Sequence, residues 1–172
     1  MPRPTNITGK AAGKMKGMKQ GLEGHSGIMR KLAEEHGEVS MLLEKCSLTS
    51  DPEKRRELFS KIREELLSHA KGEEKIFYAR LKQFDESREL VQHATEEHQE
   101  VEDMVDRLST MGYSGDDWGE LFDELEDSVK EHVKQEEHEM FAAAKDVLDD
   151  DELKDLEQRY IQAKNAEKQR LH

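Results

Sequence analysis

From residue 28 onward, apolar residues recur at steps of three and four, the spacing of one helical face. Ile28, Leu32, His36, Val39, Leu43 and Cys46 form a first stripe. The second is Ile62, Leu66, His69, Glu73, Phe77, Leu81 and Phe84, and the third is Leu90, Ala94, His98, Val101, Val105 and Leu108. The fourth runs Phe122, Leu125, Val129, His132, Glu136, Met140, Ala143 and Val147. The other faces are mostly Glu, Asp, Lys and Arg, so four amphipathic helices are predicted. The joints agree. Ser50 or Asp51 can cap the second helix ahead of Pro52, Asp85 can cap the third, and Met111-Gly112 closes it. Ser114 to Asp117 open the fourth, and Asp149 to Asp151 start a fifth, shorter helix carrying Leu153, Leu156, Tyr160 and Ala163. Short connections favour antiparallel neighbours. The expected fold is all-α: an up-down-up-down four-helix bundle over 28–148, with an additional C-terminal helix over 149–172 packed on it or extending from it.

Composition alone would not have given this answer. Leu, Ile, Val and Phe make up 34 of the 172 residues, and the net charge is −13, which borders on the composition of disordered chains. A disordered chain has no reason to sort its residues onto faces, so the periodicity decides for a folded protein. The charge is uneven. Residues 1–27 carry Arg3, Lys10, Lys14, Lys16 and Lys19 against Glu23, a net of +4, which leaves −17 for the rest. That first stretch is Gly-rich and lacks sustained periodicity, so a flexible basic tail is expected there. An acidic surface argues against nucleic acid and anionic membranes as partners. No apolar run approaches a membrane span, and the basic start lacks the apolar segment of a secretory signal. A single cysteine excludes an intrachain disulfide and fits a cytoplasmic protein. Oligomeric state is not legible.

Every stripe contains polar residues that a plain bundle core would reject. His36, His69, His98 and His132 lie on core faces, as do Glu73 and Glu136. Burying two carboxylates is expensive unless they are paired, protonated or metal-bound. The chain also repeats itself. Glu34-Glu35-His36-Gly37-Glu38-Val39 matches Glu96-Glu97-His98-Gln99-Glu100-Val101, and His69-Ala70-Lys71-Gly72-Glu73-Glu74 matches His132-Val133-Lys134-Gln135-Glu136-Glu137. Each half is a helical hairpin presenting His from one helix and His-x-x-x-Glu from the next. Two hairpins related by a pseudo-twofold would bring four His and two Glu to the bundle centre.

Residues i and i+4 stand about 6 Å apart along a helix axis, so each His can meet one ion while the Glu beside it reaches between two. Imidazole with carboxylate and no thiolate suits iron, manganese or zinc. Four His leave room for a solvent-derived oxo or hydroxo bridge and an open position. Taken singly the motif is cheap: Glu accounts for 27 residues, and His-x-x-x-Glu also occurs at His93/Glu97 and His98/Glu102. The coincidence of two pairs with two apolar stripes and a repeat is what favours a metal site over four hydrogen-bonded core histidines with two tolerated glutamates.

At these residues the chain resembles the hemerythrin family, in particular its bacterial HHE cation-binding branch. The resemblance rests on Leu32-Ala-Glu-Glu-His36, His69-Ala-Lys-Gly-Glu73-Glu-Lys-Ile-Phe-Tyr78 and His132-Val-Lys-Gln-Glu136-Glu-His-Glu-Met-Phe141, and it spans roughly residues 28–165. It implies two non-haem iron ions, with His36 and His69 on one, His98 and His132 on the other, and Glu73 and Glu136 bridging. Oxygen-carrying hemerythrins have a further histidine four residues before the third-helix ligand. Ala94 stands there, which argues against reversible oxygen carriage. The four-His, two-Glu set resembles iron-centre repair proteins, although their N-terminal cysteine domain is not expected here, and HHE proteins linked to nitric oxide, peroxide or iron sensing. The expected function is to bind or sense dioxygen, nitric oxide or peroxide at a carboxylate-bridged di-iron centre. The alternatives are a di-iron redox enzyme, disproportionating peroxide or reducing oxygen or nitric oxide, and iron storage or repair.

The other candidates are plainer. His93 reads as a surface histidine that only a locally altered helix could make a ligand. Tyr78 lies about 140° round an ideal helix from Glu73 and is expected to pack or to donate a hydrogen bond beside the site. His25, His138 and His172 read as solvent-side, Cys46 as a small core residue, and Phe77 and Met140 as an apolar lid beyond the two glutamates.

Overall fold

The computed structural model describes residues 24–172, and the basic stretch expected to form a flexible tail lies, up to residue 23, outside them. Five helices account for almost all the described residues, and no strand occurs among these. Helix α1 is Ile28–Ser47, α2 is Pro52–Gly72, α3 is Asp85–Thr110, α4 is Asp116–Gln135 and α5 is Asp150–Leu171. No described helix is long and apolar enough to cross a membrane.

Helices α2 and α4 do not stop at Gly72 and Gln135. Each continues through a π-helical stretch that begins on its glutamate, Glu73–Tyr78 after α2 and Glu136–Met140 after α4. Short α-helical pieces follow, Ala79–Leu81 and Phe141–Val147. A π turn adds one residue to the helical repeat: after Glu73 it buries Tyr78 beside the expected Phe77 and Leu81, and after Glu136 it shifts the buried stripe. Beyond Met140 and Phe141 the buried positions are Ala144 and Leu148, each one residue later than the Ala143 and Val147 that uniform α-helical spacing predicts.

The helix starts follow local chemistry. Asp51 accepts from the backbone N–H of Glu53 at 2.9 Å and of Lys54 at 3.4 Å, with Pro52 just inside, and Asp149 accepts from Glu152 N–H at 2.8 Å. Asp85 is not the cap of α3. Extended Phe84 holds that position and Asp85 is the first helical residue, where its charge still favours the helix N-terminus.

Two apolar clusters show the alternation of direction. One joins the start of α1 (Ile28, Leu32) to Phe77 and Leu81 beyond α2, to Val91 early in α3 and to Phe141 beyond α4. The other joins the end of α1 (Leu43, Cys46) to Phe59 early in α2, Leu108 late in α3 and Trp118 early in α4. Neighbouring helices therefore run antiparallel, and α5 packs against α1 and α2. Each cluster contributes through area removed from water, at about 1.5–3 kcal/mol per large side chain. His36, His69, His98 and His132 sit between the two clusters, at mid-height.

Two glycines bring α5 close. Gly27 has φ 56°, and a Cβ there would stand 2.4 Å from the Leu153 carbonyl carbon. A Cβ on Gly72 would stand 2.8 Å from Cε2 of the fully buried Tyr160.

Candidate metal centre

The six side chains converge. His36, His69, His98 and His132 are 7–8% exposed, and Glu73 and Glu136 are 0% and 2% exposed. Each imidazole turns Nε2 inward. His36 Nε2 lies 3.7 Å from Glu73 Oε1 and 3.3 Å from Glu136 Oε1, while His69 Nε2 meets Glu73 Oε1. His98 Nε2 lies 3.2 Å from Glu73 Oε2, and His132 Nε2 lies 3.4 Å from Glu136 Oε2. The donor atoms form two groups, His36, His69, Glu73 and Glu136 in one and Glu73, His98, His132 and Glu136 in the other. Within each group they lie within 4.8 Å of one another, so each could hold a cation, and the shared glutamates make the pair consistent with a dinuclear site.

The outward nitrogens are held just as regularly. His36 Nδ1 meets Glu137 at 3.1 Å, His69 Nδ1 meets Glu35 at 3.0 Å, His98 Nδ1 meets Glu74 at 3.0 Å and His132 Nδ1 meets Glu97 at 3.2 Å. Each carboxylate is the chain neighbour of a different member of the six, so the helices brace one another's ligands crosswise. The pseudo-twofold maps Glu35 onto Glu97 and Glu74 onto Glu137. A carboxylate on the second ring nitrogen is how metal-binding histidines are oriented. Sequence reasoning did not single out these four glutamates. The usable signal was that each repeated phrase places a Glu directly beside its ligand candidate.

Charge balances inside the cluster. Burial opposes charging His36, but the carboxylates of Glu136, Glu137 and Glu73 around it outweigh that and hold its pKa well above the ordinary range. His132 is likewise pushed up to about 10, its desolvation overcome by Glu136 and Glu97. Glu73 is depressed despite complete burial, by the charge of His69 and by the close approach of the His36, His69 and His98 imidazoles. Even so, His36 Nε2, His69 Nε2, both Glu73 oxygens and Glu136 Oε1 are buried and make no hydrogen bond. Buried polar atoms are seldom left so. Inward-facing imidazole and carboxylate donors of this kind fit iron, manganese or zinc.

Tyr78 donates a hydrogen bond beside the site, as expected, and the π turn is what brings it there. Such a turn closes residue i against i+5, so Tyr78 turns toward the cluster instead of standing well round the helix from Glu73. Its hydroxyl donates to Glu136 Oε2 and lies 3.4 Å from His98 Nε2, and its ring stacks on His98 at 5.3 Å. Phe141 occupies the equivalent place after Glu136. His93 belongs to neither group. It is exposed, with Nε2 3.8 Å from Glu97. His138 and His172 are exposed, whereas His25 is half-buried with its ring against Phe141, contrary to the solvent-side expectation. Cys46 is fully buried and its thiol is pushed up to about 11, chiefly by burial. Phe77 and Met140 are buried in the cluster beyond the glutamates.

A cavity of about 50 Å³ reaches all four imidazoles and is otherwise walled mainly by Val39, Leu66, Val101, Val129 and Val133. Lys71 and Glu102, 3.5 Å apart, also line it.

The family model for the hemerythrin HHE cation binding domain matches residues 27–144. Among curated proteins, the chain is similar to a protein named DNA nickase from Nostoc sp. (strain PCC 7120 / SAG 25.82 / UTEX 2576), at 28% identity over 137 residues. That match covers 80% of this chain and 39% of the relative, so the chain spans about two fifths of that protein's length. No solved structure matches.

Proposed function

The chain belongs to the hemerythrin HHE cation-binding domain family, and on that premise we propose that it holds two non-haem iron ions and uses them to bind or sense a small uncharged ligand, dioxygen or nitric oxide. His36 and His69 would hold one ion, His98 and His132 the other, and Glu73 and Glu136 would be shared. The observation that carries this reading is the set of buried inward donor atoms without hydrogen bonds, on His36, His69, Glu73 and Glu136. Iron in such a donor set supplies redox-active coordination chemistry toward small ligands. The chain's own residues hold the imidazoles by their outer carboxylates and exclude bulk water by two apolar clusters. The valine- and leucine-walled cavity favours an apolar diatomic over hydrophilic peroxide.

A second reading has one specific observation behind it. Tyr78 keeps a hydroxyl proton directly on Glu136 and beside His98, which is where a proton donor for peroxide or oxygen reduction would stand. Loading the protein with ferrous iron and titrating it with nitric oxide, then with peroxide, separates the two. Stoichiometric, stable uptake of nitric oxide with little peroxide consumed supports the binder. Fast peroxide consumption that falls in Tyr78→Phe overturns it in favour of the enzyme. DNA nicking, in the relative's name, finds no support in this strongly acidic chain, which matches 39% of that protein.

A further inference from the structure

The pseudo-twofold that pairs the ligands breaks down just outside them. Glu35, behind His69, is 3% exposed and is gripped from α5. The Tyr160 hydroxyl donates to its Oε2 and lies 3.0 Å from His69 Nδ1. Lys164 Nζ donates to its Oε1 at 2.6 Å and to Glu65 at 2.8 Å, so a buried ammonium and a buried carboxylate neutralise each other. The mirror residue, Glu97 behind His132, has a 19% exposed side chain, and its other partner is exposed His93 at 3.8 Å. A small cavity of about 30 Å³, lined by Leu90, His93, Ala94, Glu97, His132 and Glu136 among others, opens on that side. The repeat itself encodes the difference. Gly72 admits the Tyr160 ring at a distance no Cβ would allow, while the matching position in the second half is Gln135.

We propose that α5 makes the two halves of the centre unequal: Tyr160 and Lys164 act as positioning residues through Glu35, so that the His36/His69 group holds its cation tightly and the His98/His132 group holds an exchangeable one. The proposal rests on the reading of the six side chains as a dinuclear site. A ligand imidazole whose outer carboxylate is fixed and dehydrated has little freedom to swing off its ion, and losing such a partner typically lowers metal affinity 10–100-fold. On the other side Glu97 is free to exchange its bond for water, and the adjoining cavity gives water a way to His132.

Cobalt(II) is the probe, because its visible spectrum reports coordination without redox turnover. The full chain is loaded with it, and release to an excess of strong chelator is followed with time. The wild type is expected to lose its two ions in two phases whose rates differ by about 10-fold or more. Tyr160→Phe and Lys164→Met should each accelerate the slow phase by about 10-fold and leave the fast phase alone, and Glu97→Gln should accelerate only the fast phase. A general loosening of the bundle would move both phases together. A single phase for both ions in the wild type, or α5 variants that change both phases equally or neither, overturns the proposal while leaving the dinuclear site intact. No cobalt uptake by the folded wild type overturns the dinuclear reading itself.

Discussion

Glu35 offers the sharpest energetic handle on the scaffold. Burial alone would raise its pKa, yet the hydrogen bond and charge of His69, followed by those of Lys164, bring it from 4.5 down to about 2. At about 1.4 kcal/mol per pH unit, that difference is worth about 3 kcal/mol of stability in the metal-free protein. Because the folded value lies below the unfolded one, the stabilisation is complete above about pH 4.5 and is lost as pH falls toward 2. Urea unfolding of metal-free wild type and Glu35→Gln, followed by circular dichroism, reads it directly. The variant should be weaker by about 3 kcal/mol near neutrality, and the gap should close to about 1 kcal/mol near pH 3. A gap that stays constant with pH would mean that Glu35 acts through packing alone. A gap below about 0.5 kcal/mol at neutrality would mean that its bonds to His69 and Lys164 contribute nothing net.

Three further outcomes follow from the same geometry. Glu74→Gln and Glu137→Gln, which weaken the bonds orienting His98 and His36, should each lower metal affinity about 10–100-fold in chelator competition while leaving helix content unchanged. Gly72→Ala places a Cβ 2.8 Å from the Tyr160 ring. Its overpacking penalty of about 1–3 kcal/mol exceeds the helix-propensity gain of about 1 kcal/mol, so Tm should fall by several degrees, as calorimetry would show. His132, pushed up to about 10, is protonated at neutral pH in the metal-free chain. A cation must therefore displace protons, and apparent affinity should rise with pH up to that value. Titration calorimetry in two buffers of different ionisation enthalpy should show the proton release.

The bundle was legible because its buried positions follow a uniform period, and each of the six inward side chains interrupts that period with a charge or an imidazole. What broke the period escaped. The π turn at Glu136 shifts the later buried positions by one residue, the one at Glu73 adds Tyr78 to the buried face and sets it on Glu136, and nothing in residue type marks where such a turn will fall. On α5 Leu153, Leu156 and Tyr160 are buried as the stripe predicts, but Lys164 is buried in place of Ala163, because the lysine meets buried Glu35 there, and no local pattern announces a partner 129 positions away. The outer glutamates were hidden by abundance. In a chain with 27 Glu, Glu35, Glu74, Glu97 and Glu137 look like the solvated face until the neighbouring helix brings a histidine to each.

Metal content of the folded protein tests the central claim most directly. Protein loaded with ferrous iron and freed of excess should retain two irons per chain, and Glu73→Ala should retain fewer in an equally helical protein. A well-folded wild type that retains no stoichiometric metal would contradict the account, leaving His36, His69, His98 and His132 as a buried hydrogen-bonded cluster around two carboxylates.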